Sequence, residues 1–256
     1  MLQLLYALLA LSSALYTLLL LAYVLHNFPW LLDREKLVVH QVMLRKSDQP
    51  MFIVSDLHFG SSRSAYRYLL AILRAVKPRT LVIAGDLVDE RMLMSERMLR
   101  LLKTLTICAK NVFYTPSSSN HDHAPKPTFI SLEENEKRVA IASPILKLCV
   151  EECSNCLYIT HGDYASRNGV IAHFLEEFVQ RLFLKPFIGG VLRKKLGISD
   201  GSWVVYGHSH KAWSSYAWRA VNAGCWVNRI HESIQMALAV ATCRNGVISV
   251  KLLKLS

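Results

Sequence analysis

The sequence predicts a mixed α/β sandwich, and three observations carry that prediction. Short apolar runs alternate with helical patterns early in the globular region, its later part is rich in strand-like runs, and an uncharged apolar segment of membrane-spanning length precedes both. A βαβα start followed by successive strands is the pattern of sheets with helices packed on them.

The N-terminal segment comes first. Residues 1–32 of the 256 contain no Asp, Glu, Lys or Arg, so all 49 charged residues fall in the other 224, about 22% there. An ordinary soluble domain carries roughly 25%. With 52% hydrophobic residues overall, the chain is not disordered, collagen-like or a disulfide-dense miniprotein. Met1 to Leu25 is apolar except for Gln3, Ser12, Ser13 and Thr17. A bilayer core needs roughly 20 such residues. The competing reading is a signal peptide, which starts basic and ends at a small-residue cleavage site. This segment has neither, and His26-Asn27-Phe28-Pro29-Trp30 reads as an interfacial exit. The expectation is an uncleaved transmembrane anchor over residues 1–30, with a domain over 31–256. Arg34, Lys36, Arg45 and Lys46 then place that domain on the cytoplasmic side of a single-pass membrane protein.

Within the domain, Leu37 to Leu44, Met51 to Ser55, Thr80 to Ala84 and Val112 to Thr115 read as buried strands. Trp203 to Tyr206, Ala217 to Asn222, Met236 to Thr242 and Val247 to Leu253 read likewise, with helices over 64–76 and 91–106. Of the six cysteines, Cys153 and Cys156 form a C-x-x-C in a hairpin turn between runs ending at Val150 and starting at Leu157. Its open readings are a structural role, a local disulfide, and metal or redox chemistry.

Five short motifs follow apolar runs: Asp56-Leu57-His58, Gly85-Asp86-Leu87-Val88-Asp89-Glu90, Asn120-His121-Asp122, His161-Gly162-Asp163 and Gly207-His208-Ser209-His210. Alone, each is a turn. Together, all five at strand ends can converge at one sheet edge. Carboxylate, imidazole and amide oxygen are hard-to-borderline ligands, suited to Mn²⁺, Fe or Zn²⁺ and not to a Cys-rich structural site.

These residues resemble the calcineurin-like metallophosphoesterases over roughly Met51 to Val227. The resemblance implies a sandwich of two mixed β-sheets flanked by helices and a site holding two divalent metal ions, Mn²⁺ foremost. It implies Asp56, His58 and His210 on the first metal, Asn120, His161 and His208 on the second, and Asp86 bridging both. His121 would face the scissile phosphate as a catalytic residue, oriented by Asp89. Such a centre lowers the pKa of a shared water, which attacks phosphorus in line. Ser119 departs from the family, which usually has Gly there.

A helical insert over about 166–199 separates the last two motifs. Phe174, Leu175, Phe178, Val179, Leu182, Phe183, Phe187 and Ile188 recur in it at helical spacing, among Arg181, Lys185, Arg193, Lys194 and Lys195. Pro186 and Gly189-Gly190 are expected to break it into two helices. One reading is an ordinary helix covering the sheet; the other is a basic, apolar cap meeting anionic lipid or a lipid substrate. The layout is more weakly similar to the UDP-2,3-diacylglucosamine pyrophosphate hydrolases, which carry Arg where His121 stands. The expected function is a membrane-anchored phosphohydrolase acting on a phosphorylated, lipid- or nucleotide-linked substrate. The alternatives are a soluble-substrate phosphodiesterase or nuclease, since the net charge of +11 also suits nucleic acid, and a non-catalytic metal-binding scaffold.

Overall fold

The computed structural model describes residues 2–32, 37–89, 96–116, 128–198, 201–227 and 235–255. Helix α1 (Leu2–Asn27) carries no charge and no Gly or Pro, and Pro29 opens a separate short turn beyond it. Its stretch Leu9–Asn27 is long and apolar enough to cross a membrane. Leu11, Leu15, Tyr16, Leu18 and Leu19 are all exposed, so α1 is not a core helix of the domain.

The rest is an α/β fold of two mixed sheets. The strands are β1 (Val39–Leu44), β2 (Met51–Val54), β3 (Thr80–Ile83), β4 (Asn111–Tyr114), β5 (Thr128–Glu134), β6 (Lys137–Ser143) and β7 (Ile145–Val150). They continue with β8 (Cys156–Ile159), β9 (Trp203–Tyr206), β10 (Trp213–Ser215), β11 (Ala220–Asn222), β12 (Ala237–Arg244) and β13 (Val247–Lys254). One sheet runs β13-β12-β2-β3-β4-β6-β5 and the other β1-β7-β8-β9-β11-β10. Strands β2, β3 and β4 are parallel neighbours, and every residue in them is buried. Burial on both faces is why they read as unbroken apolar runs. Strands β8 and β9 are likewise parallel, pairing Ile159 with Val205. Parallel pairing brings the carboxyl ends of each set to one edge, which is where ligands collect in such sheets.

Met51, Ile53, Val82 and Phe113 face Leu146, Leu148, Leu157 and Val205 in the core between the sheets. Outside one sheet lie α2 (Tyr66–Val76) and α3 (Glu96–Leu105), which bury Leu69, Leu73, Met98 and Leu102. Outside the other lie α4 (Gly169–Phe183) and α5 (Phe187–Leu196), with Ala172, Ile188 and Leu192 inward.

The structure departs from the sequence reading at the β5–β6 hairpin, in the insert and at the cysteines. The hairpin of β5 and β6 is not signalled, because its turn uses Asn135-Glu136, both at positive φ, rather than an Asn-Gly pair. Of the expected helix over 91–106, residues 91–95 lie outside the described residues, and Glu96–Leu105 is helical. Helix α4 ends at Leu184, in the left-handed region, and α5 starts after Pro186; Gly189 and Gly190 lie inside α5 rather than breaking the insert. A Cβ on Gly189 would come within 2.9 Å of the Ala220 Cβ, so glycine there lets α5 settle onto β9 and β11. Finally, Cys153 and Cys156 are not joined to each other. Cys156 pairs with Cys149 across β7 and β8, and Cys153 pairs with Cys243 of β12, while Cys108 and Cys225 are free and buried. No cysteine belongs to a group of described residues placed to hold a metal.

Candidate metal centre

Each described site residue sits just past the carboxyl end of a strand. Asp56 and His58 follow β2, Asp86 and Asp89 follow β3, His161 follows β8, and His208 and His210 follow β9. Asp56, His58, Asp86, His208 and His210 all have positive φ, between 46° and 71°. Non-glycine residues rarely hold such angles, and their clustering marks a backbone bent to aim side chains at a common point. Two glycines make the crowding feasible. A Cβ on Gly85 would strike the His161 ring, and one on Gly207 would strike Ser55 and Asp56.

The side chains meet in two overlapping groups, Asp56 with His58 and His210, and Asp56 with Asp86 and His161. All are buried. The Asp86 carboxylate lies between the groups, with Oδ2 3.6 Å from His58 Nε2 and Oδ1 3.6 Å from His161 Nε2. His210 Nε2 is 3.1 Å from Asp56 Oδ1. Asp56 Oδ2 accepts from the backbone N–H of His208 at 3.0 Å, and Ser55 Oγ stands 2.5 Å from that same oxygen.

Hydrogen bonding assigns the tautomers. His161 Nδ1 lies 3.1 Å from the Ala84 carbonyl, and His208 Nε2 lies 2.6 Å from the Ser166 carbonyl. A carbonyl only accepts, so each of those nitrogens carries the proton. The remaining lone pairs, on His161 Nε2 and His208 Nδ1, converge at 3.0 Å. Burial, then His161, pushes the His208 imidazole down to about 4, so it is neutral at pH 7. Two imidazole lone pairs and a carboxylate oxygen aimed at one region form a cradle for a cation. The residues therefore fit a divalent metal ion, with backbone carbonyls fixing the ligand orientation. Burial would raise the Asp56 carboxyl, but His210, then His161 and His58, hold it well below the usual range. Burial lowers the His210 imidazole, yet Asp56 outweighs that and raises it.

The residue expected to be oriented by Asp89, His121, lies outside the described residues, and Asp89 itself reaches His58. Its Oδ1 lies 3.3 Å from His58 Nδ1, so it orients His58 and turns Nε2 of that ring toward Asp86. Asn120 and His121 lie outside the described residues, as does Ser119. Sequence reasoning missed Ser55, the Ala84 and Ser166 carbonyls, and His173, whose Nδ1 is 2.7 Å from the Ser209 carbonyl and so holds the loop between His208 and His210. Backbone carbonyls leave no residue-type signal.

Residues 50–212 match the calcineurin-like phosphoesterase family, more than half of the chain. The protein therefore belongs to that family. Its fold is similar to Vps29 from Entamoeba histolytica, at 11% identity and a TM-score of 0.45, covering 81% of this chain and 100% of that one. Vps29 from Cryptosporidium parvum is similar at 14% identity and a TM-score of 0.40, over 81% and 98% of the two chains. A predicted phosphoesterase from Streptococcus pneumoniae is similar at 12% identity and a TM-score of 0.35, over 80% and 98%. No curated protein matches the chain.

Proposed function

We propose that the protein is a membrane-anchored, metal-dependent hydrolase that cleaves a phosphoester or pyrophosphate bond of a lipid-linked substrate. One observation supports this above the others. The metal ligand candidate His208 bonds to the Ser166 carbonyl, and the next residue, Arg167, donates its N–H to the carbonyl of Asn27 at 2.8 Å. Asn27 is the last residue of α1. If α1 spans a bilayer, the centre stands just outside the hydrocarbon, at the depth of lipid phosphates. Trp30 Nε1 also donates to the Ala165 carbonyl at 2.8 Å, and the Phe28 ring packs edge-on to Phe187. The end of α1 is thus built into the domain, which favours an anchor over a cleaved signal.

Asp56, His58 and His210 would hold one ion and Asn120, His161 and His208 a second, with Asp86 between them. Mn²⁺ is the first choice, then Fe or Zn²⁺. When bound, such ions activate water and polarise a phosphoryl group. The chain's own residues do the rest. Asp89 and the Ala84 and Ser166 carbonyls fix the imidazoles, and His121, which the family resemblance assigns to the phosphate, would protonate the leaving oxygen.

The test is a substrate panel with Mn²⁺, comprising bis-p-nitrophenyl phosphate, p-nitrophenyl phosphate, a nucleotide-linked lipid and DNA. Turnover of the lipid is expected, and cleavage of DNA alone would refute the lipid reading. Asp86→Ala is expected to abolish both hydrolysis and metal loading, whereas His121→Ala loses turnover and keeps metal.

A further inference from the structure

Helix α4 is inside out. Its buried residues are Ala172, His173, Glu176 and Gln180, of which three are polar. Its exposed residues include Val170 at 51%, Phe174 at 63%, Phe178 at 59% and Leu182 at 59%. These four recur every fourth position and form a continuous ridge spanning about 120° of the helix surface. Phe183 and Leu184 extend it past the last turn. Of the two readings that the spacing left open, the ordinary sheet-covering helix is therefore not what α4 forms.

The rotation of the helix is fixed from within. Glu176 accepts from Tyr206 Oη at 2.6 Å, from the Ile188 N–H at 3.0 Å and from Gln180 Nε2 at 3.2 Å. His173 is tied to the Ser209 carbonyl, and Asn168 caps the helix by accepting from the N–H groups of Val170 and Ile171. Turning the ridge inward would break all of these and leave the buried Tyr206 hydroxyl and the Ile188 N–H without their acceptor. The apolar face is held outward.

What covers the ridge follows from where it begins. Val170 is three residues beyond Arg167, whose N–H bonds to Asn27 at the end of α1. The ridge and the exposed apolar helix α1 thus meet at one corner of the domain. Arg181 is exposed on α4 beside the ridge, Lys185 follows it over the Trp218 ring, and Lys194 is exposed on α5. Apolar side chains beside cations are the composition of a helix lying in a lipid interface.

We propose that α4 is a second membrane contact, lying along the bilayer surface with Val170, Phe174, Phe178 and Leu182 in the acyl boundary and Arg181, Lys185 and Lys194 among anionic head groups. This rests on reading α1 as a span. It adds that the domain is held flat against the membrane, with the metal centre beside the first turn of α4, where a Cβ on Gly169 would come within 3.3 Å of the His208 carbonyl.

The test uses the full chain in phosphatidylcholine vesicles containing phosphatidylglycerol, with the photoreactive residue benzoylphenylalanine replacing Phe178. A phospholipid adduct is expected at about ten times the yield from the same probe at Ile107, an exposed residue beyond α3. Equal yields, or a cross-link to a second copy of the chain, would overturn the proposal. Carbonate extraction of the vesicles reads α1 separately. The Phe174→Glu, Phe178→Glu double variant is expected to turn over soluble bis-p-nitrophenyl phosphate as before and to lose about tenfold or more on vesicle-borne substrate. Undiminished vesicle activity would also overturn it. Should the wild-type chain cleave no lipid phosphate, the substrate reading fails, and the adduct at residue 178 still decides the membrane contact.

Discussion

The two helical layers of the sandwich solve the same packing problem in opposite ways. On one sheet, α2 buries Leu69 and Leu73 and leaves Arg67, Tyr68 and Arg74 exposed. On the other, α4 buries His173, Glu176 and Gln180 and leaves Phe174, Phe178 and Leu182 exposed. The first is the arrangement that water selects. The second is stable only because Tyr206, Gln180 and the Ile188 N–H satisfy the buried carboxylate. The layer at the end of α1, which also reaches the metal centre, is the one whose outward face is apolar.

Truncation should divide the two layers. Leu73→Ala empties a fully buried site and is expected to cost about 3 kcal/mol, read as thermal unfolding in detergent micelles. Glu176→Ala leaves the Tyr206 hydroxyl and the Ile188 N–H without their acceptor and is expected to cost about 2 kcal/mol. A smaller cost from Glu176→Ala than from an exposed substitution would break the view that polar bonds fix α4.

Glu176 also carries a pH signature. Burial raises its carboxyl pKa, with hydrogen bonds from Tyr206 and its neighbours opposing the rise. A carboxyl whose folded pKa exceeds the unfolded one stabilises most below the unfolded value. It loses that contribution as pH rises through the folded value. The wild-type chain should therefore lose stability between acidic and neutral pH relative to Glu176→Gln, which keeps the shape without the charge. Identical profiles would contradict a strained carboxylate.

At the centre, Asp89→Asn removes the carboxylate that orients His58 and is expected to weaken Mn²⁺ binding about 10–100-fold, measured by metal titration. The smallest expected effect is Phe178→Ala. Since that side chain is 59% exposed, stability in detergent should change by less than about 0.5 kcal/mol. A Phe178→Ala loss matching that of Leu73→Ala would erase the contrast between the layers.

Much of this was legible in the sequence for physical reasons. Strands β2, β3, β4 and β9 are buried on both faces and so appear as apolar runs. Asp56, His58, Asp86, His161, His208 and His210 stand at the ends of such runs, and the structure brings them together. The edge hairpin of β5 and β6 was hidden by charges and an unusual turn. The orientation of α4 was hidden too, because spacing reveals that apolar residues share a face but not which medium that face meets. That Asp89 also reaches His58 depended on loop geometry that no spacing encodes.

The paired cysteines have a consequence for the history of the molecule. Cys149–Cys156 staples a hairpin, and Cys153–Cys243 ties its turn to a strand of the opposite sheet, across 90 residues of chain. A domain that completes both links has matured where thiols are oxidised, and its native form exposes no reactive sulfur, since Cys108 and Cys225 are buried. Counting alkylatable thiols in the denatured but unreduced protein, two against six, therefore reads the redox character of the compartment the domain faces.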